Sequence, residues 1–306
     1  MPMNRSQARV IDPILSNVAL GFKDPEFIGV NLFPIVDSPA SGARIIKFGK
    51  EAFLKYLLRR SPGAKTARVQ FGYDSDPIAL VQDSLEGVVP REWMRDASQV
   101  PNIGLGSRAI NSVMRIAYRA LEIEQSELAQ DAAKYDANHK VTLGTAWTDP
   151  AADIKADIDA GKAAVRASIG VEPNTLEIPY TAFQGAQNNT KVQAQFKYTS
   201  SESISAVMLA AFLGVDKVVV GKGVYAPDED SDFVEIWTKA VLAYTPVNGQ
   251  TIEEPSYGYT YVGEGQPLVE QAYWEQPVKS WIYPMEYERR PYITSMNAGY
   301  LLDGVQ

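Results

Sequence analysis

Residues 44–68 read RIIKFGKEAFLKYLLRRSPGAKTAR, and this stretch decides how the rest of the chain is organised. It holds eight basic residues, Arg44, Lys47, Lys50, Lys55, Arg59, Arg60, Lys65 and Arg68, against the single acid Glu51, a local balance of +7. The whole chain of 306 residues is −8, so everything outside this window sums to −15. Charge segregation on that scale means that a basic feature is presented to something acidic. The flanks alternate with period two, from Arg44 to Phe48 and again from Arg68 to Tyr73, and Ser61-Pro62-Gly63 supplies a turn between them. Residues 42–84 therefore read as one long hairpin. A two-stranded hairpin is marginal in water, so it needs a neighbour to pack on. Other copies of the same chain offer an acidic counterpart in Asp228, Glu229, Asp230 and Asp232, and a second one in Glu253 and Glu254. Self-assembly is the first implication.

Upstream, residues 1–41 are broken by Pro13, Gly21, Pro25, Gly29, Pro34 and Pro39 yet remain rich in apolar side chains, with Phe22, Phe27 and Phe33 the largest. This composition predicts an extended arm that lies on a neighbouring surface rather than a disordered tail. Deleting residues 1–30 is then expected to leave the subunit folded. Downstream, Ile110, Val113, Met114, Ala117, Leu121, Leu128 and Ala132 recur at helical spacing and predict a spine helix over about 107–139, within a first domain spanning 85–147. Its arginines (Arg108, Arg115, Arg119) precede its acids (Glu122, Glu124, Glu127, Asp131), which opposes the helix dipole. Packing against other charged elements has to explain that order.

After Trp147 short α and β pieces alternate, which predicts a mixed second domain over 148–265. Asp149-Pro150 reads as a helix start, followed by the apolar face Ile154, Ile158, Gly161 and Val165 up to Gly170. Thr175–Ile178, Lys217–Val220, Phe233–Trp237 and Ala240–Tyr244 read as strands, and Ile204–Leu213 reads as a helix. The aromatic, proline-rich residues 266–306 are expected to return to the first domain, with a strand near Lys279–Tyr283.

Composition removes most chemistry. There are no cysteines and one histidine, His139, so thiolate nucleophiles, disulfides and the usual zinc sites are absent, and proton shuttling near neutral pH has little to work with. No apolar run is long enough for a membrane span, and no signal peptide is read. Gly221-Lys222-Gly223 lacks the spacing of a phosphate loop, and the Asp228–Asp232 run lacks the glycine and glutamate of a calcium loop. No catalytic residue, metal ligand or cofactor site is expected.

Arm, basic hairpin, spine, inserted α/β domain and aromatic return together resemble the major capsid proteins of tailed bacteriophages, the Hong Kong 97-type fold of the α+β class. The resemblance also rests on Asp12-Pro13-Ile14-Leu15-Ser16-Asn17, Phe33-Pro34-Ile35-Val36, Pro173-Asn174-Thr175-Leu176, Phe196-Lys197-Tyr198-Thr199 and Gly258-Tyr259-Thr260-Tyr261, in that order. In family terms the segments would be the N-arm, the E-loop (42–84), the P-domain and the A-domain.

It implies hexamers and pentamers of one chain in an icosahedral shell, assembled in the host cytoplasm and ending in the virion. A portal and a decoration protein belong to the implied partners. Double-stranded DNA would be enclosed without sequence-specific binding. A long charged extension ahead of the arm is not visible, so a separate scaffolding protein is the expectation. Some relatives cross-link a hairpin lysine to a distant asparagine; Lys50 or Lys55 with Asn297 are the positions that would serve. The alternative reading is a nucleic-acid-binding module that uses the basic window alone.

Overall fold

The computed structural model describes residues 12–21, 27–38, 42–47, 74–97, 104–196, 204–246 and 256–306. The described arm is not extended throughout. Asp12 accepts hydrogen bonds from the Ile14 and Leu15 amides at 2.9 and 3.0 Å and caps α1 (Pro13–Leu20). Pro13, which reads as a breaker, sits at the first helical position, where no amide hydrogen is needed. There follow β1 (Ile35–Ser38), β2 (Gly42–Lys47), β3 (Asp74–Ala79), β4 (Val81–Pro90), α2 (Arg91–Ala97) and the spine α3 (Leu105–Gln130). The spine stops nine residues before His139. Asp131 turns extended there, and its own side chain accepts from the Ala133 amide, opening a short 3-10 turn. At 1.5 Å per residue its 26 residues span about 39 Å.

The remaining elements are β5 (Lys140–Thr142), α4 (Ile154–Ile169), β6 (Thr175–Pro179), α5 (Tyr180–Asn188), α6 (Thr190–Phe196), α7 (Ala206–Leu213), β7 (Lys217–Gly221), β8 (Val224–Tyr225), β9 (Val234–Glu235), β10 (Ala240–Ala243), β11 (Gly258–Gly263), β12 (Leu268–Val269), β13 (Tyr273–Glu275), β14 (Ser280–Ile293) and β15 (Gly299–Asp303). Helix α4 begins after Asp153, which caps it, instead of at Asp149-Pro150, and it ends at Gly170 in the left-handed conformation. Residues 233–237 form only the short β9, because Ile236 and Trp237 turn inward to the core.

Two sheets carry the fold. The first runs β1-β11-β14-β12, with β4 and β13 also paired to the long β14. The second runs β5-β15-β10-β6-β7. This pairing moves two boundaries. Strand β11 belongs with the first sheet although it lies inside 148–265, and β15 belongs with the second although it lies inside 266–306. Register gives the reason: β11 pairs with β14 over Gly258–Val262, and β15 pairs with β10 through Leu301↔Val241.

The spine joins the two layers. Its N-terminal half packs Ile110, Val113, Met114, Ala117 and Leu121 on Val89, Tyr283, Met285 and Tyr287 of the first sheet, with Leu15 and Ala19 of α1 in the same core. At its C-terminal end, Ala129 enters a second core with Tyr135, Trp237, Val241, Tyr257 and Leu301. A third core lies on the other face of the second sheet, between Leu176, Ile178, Leu242 and Leu302 and the Ile154, Ile158 and Val165 face of α4.

Candidate functional site

Strands β2 and β3 pair antiparallel from Gly42↔Ala79 to Lys47↔Asp74, so the polypeptide leaves the body and returns as a hairpin whose root is structured. The root is anchored at Ile78, which is buried with Val36, Tyr259 and Tyr261. Those tyrosines alternate along β11 with Val262, which is in the spine core, so the hairpin root rises from the sheet face opposite the spine. Arg44 lies opposite Pro77 in this ladder and Lys47 opposite Asp74. Lys50, Lys55, Arg59, Arg60, Lys65 and Arg68 lie outside the described residues, as do the returning strand 68–73, Phe22, Glu253 and Glu254.

The acidic run is described, and it is exposed. Asp228 accepts from the Asp230 amide at 3.1 Å and from the Ser231 hydroxyl at 2.5 Å; the hydroxyl bond is the main cause holding its carboxyl below the ordinary aspartate value. Glu229, Asp230 and Asp232 are exposed on the same loop. Asn297 is exposed on the short 3-10 turn Met296–Ala298.

The arm docks on its own subunit. Phe33 is fully buried against Tyr257, with ring centroids 5.5 Å apart, and Leu32 is fully buried beside it; Phe27 is half-buried. Phe33 is therefore a core residue of its own chain rather than a free contact for a neighbour. The close approach needs Gly258: a Cβ there would stand 2.5 Å from the Phe33 ring. The Ser16 hydroxyl accepts from the Val269 amide at 3.1 Å, and the Asp12 amide donates to the Val269 carbonyl at the same distance.

Glu122 fastens this arm to the spine. It is 1% exposed, and its carboxylate accepts from the Ile28 amide (3.0 Å), the Gly29 amide (2.8 Å) and the Trp237 indole (2.6 Å). One side chain thus ties arm, spine and second layer together. Burial raises its pKa in spite of these three donors. One turn further, Ser126 and Gln130 donate to the Ile236 carbonyl at 2.9 and 3.0 Å, and Gln130 accepts from the Thr238 and Lys239 amides at 2.8 Å. On the other side, the buried Arg289 guanidinium bridges Asp83 (2.9 Å) on β4 and Glu124 (3.2 Å) on the spine. The acidic half of the spine, which opposes the dipole, is explained by these partners. The reversed charge order was the signal for Glu122 and Glu124; nothing in the sequence pointed to Trp237 or Arg289.

The remaining chemical candidates resolve into structure. Gly221 closes β7 against Trp237, where a Cβ would meet the indole at 2.8 Å. His139 is buried, not at the spine terminus, and pairs through Nδ1 with Asp136 at 2.7 Å. Glu177 on β6 is fully buried, both its oxygens lack a hydrogen-bond partner, and desolvation first, then the Glu122 charge, pushes its pKa well up. These raised carboxyls lie in the core between layers, not in a cleft. Among the described residues no group of three His, Asp or Glu is set to hold a metal ion, and no helix is long and apolar enough to cross a membrane.

Compared with known proteins, the chain is 31% identical over 307 residues to a curated major capsid protein of Burkholderia phage BcepMu, covering 98% of both chains. The chain belongs to the phage major capsid proteins. It matches no family model. Among solved structures it is similar to a phage-related protein from Bordetella bronchiseptica, at 44% identity and TM-score 0.84 over 98% of both chains. It shares the fold of a putative prophage capsid protein from E. coli CFT073 at 12% identity and TM-score 0.55, over 96% of this chain and 99% of that one. The fold is the Hong Kong 97 type, and this capsid protein forms shells as part of the virion.

Proposed function

We propose that this capsid protein builds the icosahedral head of a tailed phage from hexamers and pentamers, enclosing double-stranded DNA without reading its sequence. Assembly takes place in the host cytoplasm around a separate scaffolding protein and a portal, the finished shell accepts a decoration protein, and the chain itself catalyses nothing. The observation that carries this reading is the hairpin root. Its ladder is anchored at Ile78 and stays paired as far as Lys47↔Asp74, and the 26 residues that follow carry six basic side chains and one acid. The Glu229, Asp230 and Asp232 loop of another copy gives that segment an acceptor of opposite sign. Exposed pairs contribute about 0 to 1 kcal/mol each, so the charges set register while repetition of the contact holds the shell.

The test is the double substitution Arg59→Glu with Arg60→Glu. Subunits are expected to keep their wild-type circular dichroism and fail to close shells by electron microscopy. Normal particles from the double variant would remove the hairpin charges from the mechanism.

A further inference from the structure

Strands β8 and β9 form a two-stranded ribbon, with Val224 opposite Glu235 and Tyr225 opposite Val234. A ribbon this short cannot stand alone in water, and its base is held by the body instead. Tyr225 packs against the core that contains Trp237 and Leu301, and Ile236 is buried in that core. The Ile236 amide donates to the Gly223 carbonyl at 3.0 Å, and its carbonyl is the one that receives Ser126 and Gln130 of the spine. The ribbon therefore projects from a fixed base, so a partner that docks on it has little of it left to order.

What it presents is apolar. Among the described residues Phe233 is the most exposed aromatic side chain, at 76%. Val224, Ala226, Pro227 and Val234 are exposed on the same ribbon and its loop. A lone exposed apolar residue is ordinary, whereas a group of them with a charged rim marks a contact surface. The rim has one sign: residues 223–238 hold Asp228, Glu229, Asp230, Asp232 and Glu235 and no base, a sum of −5. Glu235 accepts from the Gln306 side-chain amide at 2.9 Å, and the other four are exposed. Residues 48–73 sum to +5, from six bases and Glu51. That segment sets the apolar Phe53-Leu54 and Tyr56-Leu57-Leu58 directly ahead of Arg59 and Arg60. The two segments match in magnitude and oppose in sign, and each places apolar side chains beside its charges. Two ribbons, by contrast, repel each other.

We propose that the β8–β9 ribbon is the docking seat for residues 48–73 of a second copy, with Phe233 as the apolar anchor and the acids steering the approach. This rests on the capsid reading above, in which the loop supplies charge alone, and adds to it the side chain that grips. An aromatic ring buried at the centre of a contact carries more of its strength than charges at the rim, which govern approach and choice of partner. Salt separates the two contributions. Attraction between exposed charges is screened beyond about 10 Å at about 0.1 M salt and about 3 Å at about 1 M, whereas the gain from burying a ring persists.

The experiment replaces Phe233 in the full chain with photoreactive p-benzoylphenylalanine, mixes isotopically light and heavy protein, irradiates, and maps the products by mass spectrometry. Cross-links between copies, onto residues 48–73, are expected. Cross-links within one copy, onto any other segment, or none at all overturn the proposal. Light scattering across a salt series then follows assembly of full-chain variants. Phe233→Ser is expected to raise the protein concentration for half-assembly about tenfold or more at low and high salt alike, with the unfolding midpoint of unassembled subunits unchanged. Glu229→Gln with Asp230→Asn and Asp232→Asn is expected to flatten the salt dependence and to keep the high-salt value. Wild-type assembly by Phe233→Ser overturns the anchor. The two readings fail separately: shells from wild-type protein with cross-links that miss residues 48–73 sink the seat alone, whereas small oligomers without shells, cross-linked onto residues 48–73, strike the capsid reading and keep the seat.

Discussion

Replacing Glu122 with alanine removes, in one step, the acceptor for three buried donors: the Ile28 and Gly29 amides and the Trp237 indole. Each orphaned donor costs about 1 to 3 kcal/mol, and because the three share one side chain their costs do not simply add. The desolvation that raises the Glu122 pKa is relieved by the substitution and offsets part of the loss. A net destabilisation of about 3 to 6 kcal/mol follows, a large share of the roughly 5 to 15 kcal/mol typical of a folded domain. Glu122→Gln should fall between, losing about 1 to 3 kcal/mol. Its one oxygen can serve the Ile28 and Trp237 donors while its amide faces the Gly29 N–H, or the reverse. Urea unfolding of unassembled subunits at pH 7 measures both variants. Hydrogen exchange at the Ile28 and Gly29 amides adds a local readout, which should quicken first in the alanine variant. An alanine variant within about 1 kcal/mol of wild type, or a glutamine variant worse than alanine, would refute the idea that this carboxylate locks arm to spine.

Glu177 tests pH dependence. With its pKa raised in the fold, the native state holds a proton that the unfolded chain has released above the ordinary value of 4.5, so stability falls as pH rises. Glu177→Leu should gain on wild type by about 1.4 kcal/mol per pH unit from pH 5 upward, for as long as the native carboxyl stays protonated, and pH-independent parallel melting curves would count against it. Gly258→Val should detach Phe33 and its segment, since even a Cβ meets the ring at 2.5 Å; limited proteolysis reads the result, and an uncut arm contradicts it. Deleting residues 1–30 takes away Ile28, Gly29 and α1 and should lower the melting temperature steeply by differential scanning calorimetry, opposite to the behaviour of an arm that lies only on neighbours.

Much of the architecture was legible because it rests on local signals. The apolar stripe from Ile110 to Leu121, the α4 face ending at Gly170, the Lys217–Val220 strand and the alternation that opens the hairpin each depend on periodicities of 3.6 or 2 within one segment. What failed was where a side-chain hydrogen bond or a distant strand decides the outcome. Asp12 turned the start of a proline-punctuated arm into a helix, Asp131 cut the spine short, and Asp153 displaced the start of α4 from Asp149. Of the proposed contacts, the acidic run was read as exposed and is exposed, whereas Phe33 was read as a neighbour's contact and is buried at home.

Composition and charge order by themselves determined that this chain has no cysteine and a single histidine, that a basic segment is set apart from an acidic body, and that the spine runs against its own dipole. Those are properties of residue type and spacing, which folding does not alter. Only the tertiary structure decided that β11 and β15 exchange domains, that Glu122 gathers three donors from segments 94 and 115 residues away, and that the spine and the hairpin root lie on opposite faces of one layer. Strand partners and buried hydrogen bonds are chosen by what the folded core brings together, and a linear pattern carries no record of that choice.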